Sequence, residues 1–181
     1  HLLDCCLVTD AGAAIVITTP ERARDAKNGS VTILGAGEGH DHSMISQMPD
    51  LTRAFGRNTG PQAIEMAGVS HSDLDLAMIY DSFTYTVLVT LENLGFCGPG
   101  EGPDFVASQR TAPGGDFPLN TNGGGLSYTH PGMYGIFTVV EAARQLRGQA
   151  GGRQLDKCDL ALAHGTGGLL SSTGTVVLGA E

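Results

Sequence analysis

The alternation of short apolar runs with helix-period segments predicts an α/β layered domain built on a mixed sheet. Three observations carry this. Residues 31–36, 74–80 and 159–163 are short apolar runs bounded by turn residues, as buried strands are. Residues 83–94 and 133–146 repeat apolar side chains at helical spacing. The 27 glycines among 181 residues follow no triplet period, so they supply tight turns and close backbone approaches rather than a fibrous repeat.

In chain order, residues 11–18, Ala-Gly-Ala-Ala-Ile-Val-Ile-Thr, form a continuous apolar run of the kind buried on both faces of a sheet, and a first strand is expected there. Residues 20–27 open on Pro20, carry charges throughout and stop at Asn28-Gly29, which reads as a short exposed helix. Residues 31–36 return as a strand. His40 and His42 follow in a Gly/Asp/Ser-rich loop; with no partner set nearby, a solvated loop is expected rather than a metal site. Residues 50–55 and 59–67 read as two helical pieces, the second with Pro61 near its start and Gly68 at its end. Residues 70–73 are a polar turn. The strand over 74–80 delivers Tyr80 and Asp81 to its carboxyl end, where α/β proteins build ligand sites.

Phe83, Val87, Leu91 and Leu94 mark a buried helix that stops at Gly95. Residues 95–119 hold four prolines and no apolar period, so a long loop is expected, in which Phe96, Phe105 and Phe117 either line a pocket or anchor the loop. In residues 120–137 three consecutive glycines, Gly123, Gly124 and Gly125, precede Ser127, Tyr128, His130 and Tyr134. Pro131 disfavours a helical conformation at His130 and suits the start of the next helix, so His130 is placed at a loop-to-helix junction. Residues 133–146 form that helix. Residues 159–163 bring His164 to a strand end, and residues 169–178 close the sheet, with a bulge expected at Ser-Ser-Thr-Gly.

Composition narrows the function. A net charge of −9, with ten basic residues scattered along the chain, argues against nucleic acid and anionic membrane as partners. The apolar runs are too short to span a bilayer. Cys5, Cys6, Cys97 and Cys158 follow no metal or disulfide spacing, and a reduced, cytoplasmic setting is expected. His1 is not an initiator methionine, so a processed or partial chain is expected. All four tyrosines, Tyr80, Tyr85, Tyr128 and Tyr134, fall within the two candidate site segments.

Three ordered stretches resemble motifs of the thiolase superfamily. Residues 120–131 are similar to its Asn-x-x-Gly-Gly…Gly-His-Pro segment, with Thr129 where the family usually has glycine. Tyr80-Asp81-Ser82-Phe83 stands where the lipid-transfer, sterol-carrier branch carries His-Asp-Cys-Phe, and His164-Gly165-Thr166-Gly167-Gly168 stands near the Cys-x-Gly segment of ordinary thiolases. The resemblance implies the carboxyl-terminal half of a thiolase-like protein across residues 1–181, an α/β/α half with a mixed five-stranded sheet. The amino-terminal half would lie outside this chain. It also implies an active site for acyl-CoA thioesters, with coenzyme A entering as part of the substrate and no cofactor or metal bound.

Within that resemblance His130 matches the catalytic histidine, while Ser82 occupies the cysteine position of the lipid-transfer motif. A serine hydroxyl does not replace a thiolate as base without its own activator. A retro-aldol cleavage needs only a base for a β-hydroxyl and donors for the thioester enolate. The three motifs together resemble the thiolase-like aldol lyases of steroid side-chain degradation, which act with an OB-fold partner. The implied catalytic set is His130 as an enolate-side donor, Tyr85 or Tyr134 for proton transfer with Tyr80 and Tyr128 next, and His164. Asp81, Ser82, Gly123, Gly124, Gly125, Gly165 and Gly167 are implied substrate contacts, and Arg53 and Arg57 are either phosphate contacts or solvated charge. The alternatives are a Claisen thiolase whose nucleophilic cysteine lies in the other half, and a non-catalytic acyl-CoA-binding, lipid-transfer or assembly subunit. A homodimer is expected by analogy, and the surface facing the missing half is expected to favour association.

Overall fold

The computed structural model describes residues 1–168 and 170–181. A single helical turn, α1 (Pro20–Ala23), precedes strand β1 (Val31–His40). Helix α2 (Gly56–Ala67), strand β2 (Leu76–Ile79) and helix α3 (Thr84–Leu94) follow. Two short helices, α4 (Gly102–Ala107) and α5 (Gly124–Ser127), lead to helix α6 (Gly135–Leu146), and strands β3 (Leu160–Gly167) and β4 (Ser172–Ala180) close the chain. Both α2 and α3 end where expected, at glycines in the left-handed conformation, Gly68 (φ 68°) and Gly95 (φ 84°).

The sheet is mixed, in the order β1-β4-β3-β2: β4 is antiparallel to both β1 and β3, and β3 is parallel to β2. Helices cover both faces, which is why β2 and β3 read as unbroken apolar runs. Side-chain alternation divides them into two cores. Leu76, Met78, Ala161, Ala163 and Leu178 pack with Ala142 and Leu146 of α6. Ala77, Ile79, Leu162 and Val177 pack with Ala63 and Ile64 of α2 and Leu91 and Leu94 of α3.

Among the described residues, four strands stand where five were expected. The place beside β2 is taken by a stub: the Ala77 N–H donates to the Pro118 carbonyl, the Asn120 N–H donates to the Ala77 carbonyl, and Leu119 makes an isolated parallel bridge to Ala77. The Asn120 side chain then continues the ladder, its Oδ1 accepting from the Ile79 N–H at 2.7 Å and its Nδ2 donating to the Ile79 carbonyl at 2.8 Å. One side-chain amide thus substitutes for a strand residue.

Other expectations are corrected. Residues 11–18 form no strand; the run is exposed, with Val16 and Ile17 largely in solvent, because no strand among the described residues pairs with it. Residues 50–55 make turns rather than a helix, with Asp50 accepting from the Thr52 N–H in place of a helical ladder. His40 ends β1 instead of sitting in a loop. The bulge lies in β1, where the register with β4 shifts between Ile33 and Gly35, while the pairing of β3 with β4 runs without a break through Ser172–Gly174. Leu169, placed at the start of the closing strand from sequence, lies outside the described residues. The long loop contains α4, and its three phenylalanines anchor it: Phe117 meets Phe96 and Phe105 edge-on at centroid distances of 4.9 and 5.2 Å. No described helix is long and apolar enough to cross a membrane.

Candidate active site

Three aromatic rings converge where β2 ends and α6 begins. Tyr80 follows β2 directly, and its hydroxyl lies 2.9 Å from His130 Nε2. Tyr134, in the N-cap position of α6, stacks on His130 with centroids 5.9 Å apart and planes 12° from parallel, and Phe137 continues the stack at 5.6 Å. The ring of Tyr80 is 5.3 Å from that of His130 and 6.3 Å from that of Tyr134. Tyr80, Pro131, Tyr134, Phe137, Gly165 and Thr166 line a cleft of about 720 Å³, with residues 11–13 at its edge. Burial pushes both phenols upward, most strongly that of Tyr134, so both stay protonated donors near neutral pH.

The glycine run is a cradle for Asp81. Buried Asp81 accepts from the Gly125 N–H at 2.6 Å and from the Leu126 N–H at 3.3 Å. Burial raises its pKa, and those two amides oppose the rise. A Cβ at Gly124 would lie 2.1 Å from Asp81 Oδ2, and one at Gly125 would lie 2.8 Å from His130 Cδ2. Gly124 and Gly125 therefore admit Asp81 and His130 to the loop, whereas a Cβ at Gly165 would meet only the Gly135 Cα of α6, in ordinary contact at 3.5 Å, and both residues line the cleft. Gly123 turns the chain into α5 with φ 95°, and Gly167 stands at the cleft with open space around it.

Of the other candidates, Ser82 shares a hydrogen bond with Thr86 at 3.2 Å. Tyr85 lies in the first turn of α3 and donates to the Leu51 carbonyl at 2.9 Å, outside the ring cluster. Tyr128 is exposed at the end of α5. Arg53 and Arg57 are exposed around the start of α2.

His164 is buried on the α2/α3 side of β3, opposite Ala163 and Gly165, with Nδ1 2.8 Å from Thr175 Oγ1 and Nε2 3.2 Å from Thr166 Oγ1. Gly56 of α2 lies against its ring. Its backbone touches the site, since its carbonyl accepts the Tyr80 N–H at 3.0 Å. Burial depresses its pKa from 6.5 to about 4. The unfolded chain then binds more protons than the folded one between those two values, so stability is complete above pH 6.5 and falls as pH drops toward 4. Chemical denaturation across that range is expected to show a loss of about 3 kcal/mol in wild type and a flatter profile in His164→Gln.

Sequence reasoning left several positioning residues out of the candidate set. Asn122 Oδ1 accepts from the Gly124 N–H at 2.9 Å and from the Tyr134 hydroxyl at 3.3 Å. Thr9 Oγ1 accepts from the His130 N–H at 3.0 Å and lies 2.5 Å from Thr129 Oγ1. The segment before it is strapped across the site, with the Cys6 N–H on the Ser82 carbonyl and the Leu7 N–H on the Gly125 carbonyl. Asparagines flanking a glycine run were a usable signal for Asn120 and Asn122. Thr9 gave none, because its partners lie about 120 residues away.

Residues 37–180 match the Thiolase C-terminal domain-like family, a stretch that contains every ring of this cluster. The chain belongs to that family. It is 38 % identical to the steroid side-chain-cleaving aldolase of Thermomonospora curvata, an alignment that covers 100 % of this chain and 46 % of the relative. It is 43 % identical to the 17-hydroxy-3-oxo-4-pregnene-20-carboxyl-CoA lyase of Mycobacterium tuberculosis over 82 % of this chain and 39 % of that protein. The solved structure of the Ltp2-ChsH2(DUF35) aldolase superposes with a TM-score of 0.89 at 34 % identity, covering 99 % of this chain and 47 % of that one. The chain thus spans about half the length of the relatives it matches, and the thiolase-like fold is shown by family and superposition alike.

Proposed function

We propose that this chain is the carboxyl-terminal half of an acyl-CoA aldol lyase, which cleaves the Cα–Cβ bond of a β-hydroxyacyl-CoA with a bulky, steroid-like acyl tail. The observation that carries the reading is the Tyr80–His130 hydrogen bond at the cleft, backed by the stacked ring of Tyr134. Tyr80 lines the cleft and lies within hydrogen-bond distance of His130, so the pair offers a proton path from substrate to the imidazole. Tyr80 takes the β-hydroxyl proton as it passes its own to His130 Nε2. The Cα–Cβ bond then breaks, its electron pair enters the thioester as an enolate, and the β-carbon leaves as a carbonyl. The imidazolium balances the enolate charge until the proton returns to Cα, which completes an acyl-CoA product without any acyl-enzyme.

Within this chain the cleft supports the lyase over Claisen thiolysis: no cysteine is among the described residues that line it, and Ser82 stands at the cysteine position of the lipid-transfer motif. The reading brings with it an amino-terminal half, a homodimer, an OB-fold partner subunit and a cytoplasmic setting. The exposed apolar run at residues 11–18 supports the first of these, because such a run is stable when a further sheet covers it. With the full-length protein and its partner, a β-hydroxyacyl-CoA is expected to be cleaved without added CoA, as followed by product mass. Turnover of a β-ketoacyl-CoA only in the presence of free CoA would instead establish thiolysis, and tight binding with neither turnover would establish a carrier or assembly role.

A further inference from the structure

Behind the ring cluster lies a polar network that the proposed chemistry does not use. Glu141, in the second turn of α6, is 1 % exposed, and its carboxylate accepts from Arg153 twice, Nε to Oε1 and Nη2 to Oε2, each at 2.8 Å. The Thr121 hydroxyl donates to Glu141 Oε1 at 2.9 Å and accepts from Gln145 Nε2 at 3.0 Å. Buried Gln145 also donates to the Arg153 carbonyl at 2.9 Å and accepts from the Leu155 N–H at 3.0 Å. This ties α6, the turn at Gly151–Arg153 and the lead into β3 to a single residue of the loop before the glycine run.

That residue sits between two others with defined tasks. Asn120 is fixed to the end of β2, Thr121 to Glu141, and Asn122 to the Tyr134 hydroxyl and the Gly124 N–H. Three successive side chains thus set the loop against the strand that carries Tyr80, the helix that carries Tyr134, and the cradle beside His130. Stability alone does not account for a buried charge at this place: Glu141 is 1 % exposed while Arg153 is 40 % exposed, and taking the carboxylate out of water costs much of what the pair returns. Oriented acceptors do account for it: a carboxylate gripped on one edge by Arg153 leaves Oε1 aimed at Thr121, and this fixes the direction of the Thr121 hydroxyl.

We propose that Glu141, held by Arg153, is a positioning residue that acts through Thr121 to place Asn122 and so fix the Tyr134 ring against His130. The proposal rests on the reading of this cluster as the reactive site. Glu141 is also one of the charges that raise the Tyr134 phenol, after burial. Removing the link is expected to loosen ring placement while the cleft keeps its lining.

The test uses the full-length protein with its partner and three variants, Thr121→Val, Thr121→Ser and Glu141→Gln. Thr121→Val cuts the link and leaves the Glu141–Arg153 pair intact, so it remains informative even if Glu141→Gln does not fold. The kcat for β-hydroxyacyl-CoA cleavage is expected to fall about tenfold in Thr121→Val, with KM within about twofold, and to recover in Thr121→Ser. In protein labelled at the tyrosine ζ-carbon, the Tyr134 resonance, assigned with Tyr134→Phe, is expected to shift in Thr121→Val and to return in Thr121→Ser. An unmoved Tyr134 line, or a lowered melting temperature with unchanged kcat, would overturn the proposal. Should wild type fail to cleave the substrate, the assigned chemistry falls, while the resonance still decides the positioning role by itself.

Discussion

Replacing His130 with asparagine is expected to lower kcat/KM for β-hydroxyacyl-CoA cleavage by about a thousandfold, within the range that a positioned acid–base group contributes. Asparagine retains a polar side chain but cannot accept and hold a proton at the distance where Nε2 meets the Tyr80 hydroxyl, 2.9 Å. Tyr80→Phe is expected to cost about as much, and the double variant little more than either single one, because residues that share one proton path act as a unit. Initial rates of the full-length protein, measured beside its thermal melting curve, separate this from misfolding. Losses below about tenfold in both single variants would remove the pair from the reaction. Losses that multiply in the double variant would give the two residues separate tasks.

Much of the fold was legible because packing imposes periodicity. The apolar stripe of residues 133–146 gave α6, and the glycines after α2 and α3 marked their ends correctly. Residues 11–18 misled for a physical reason: an unbroken apolar run states that both faces need cover but not which part of the assembly supplies it. The missing fifth strand was equally hidden, since no propensity reveals that Asn120 hydrogen-bonds like backbone. At the site, motif order placed Tyr80, His130 and Tyr134 together. Strand parity would have separated His164 from them, because Ala163 and Gly165 face α6 and the residue between them must face α2. Tyr85 shares a sequence segment with Tyr80, yet α3 begins between the two and its hydroxyl donates to the Leu51 carbonyl.

The cradle around Asp81 leads to the largest expected change in stability. Gly124→Ala is expected to destabilise the protein by about 5 kcal/mol, from a left-handed residue gaining a Cβ, overpacking of the loop, and disturbed hydrogen bonds to a buried carboxylate. The backbone there has φ 62°, and the new methyl would stand 2.1 Å from Asp81 Oδ2. Gly132 provides the control: its φ of 81° is also left-handed, yet nothing lies within 4 Å of its Cβ position. Gly132→Ala therefore isolates the backbone cost, about 1–2 kcal/mol. The difference between the two variants in denaturant unfolding measures what the approach of Asp81 adds. Equal losses would mean that the carboxylate swings aside freely, and that the amides of Gly125 and Leu126 hold it weakly. A large excess at Gly124, accompanied by loss of cleavage, would show that Asp81 organises the loop beneath His130, and that the glycines there exist to admit a protein carboxylate rather than a ligand.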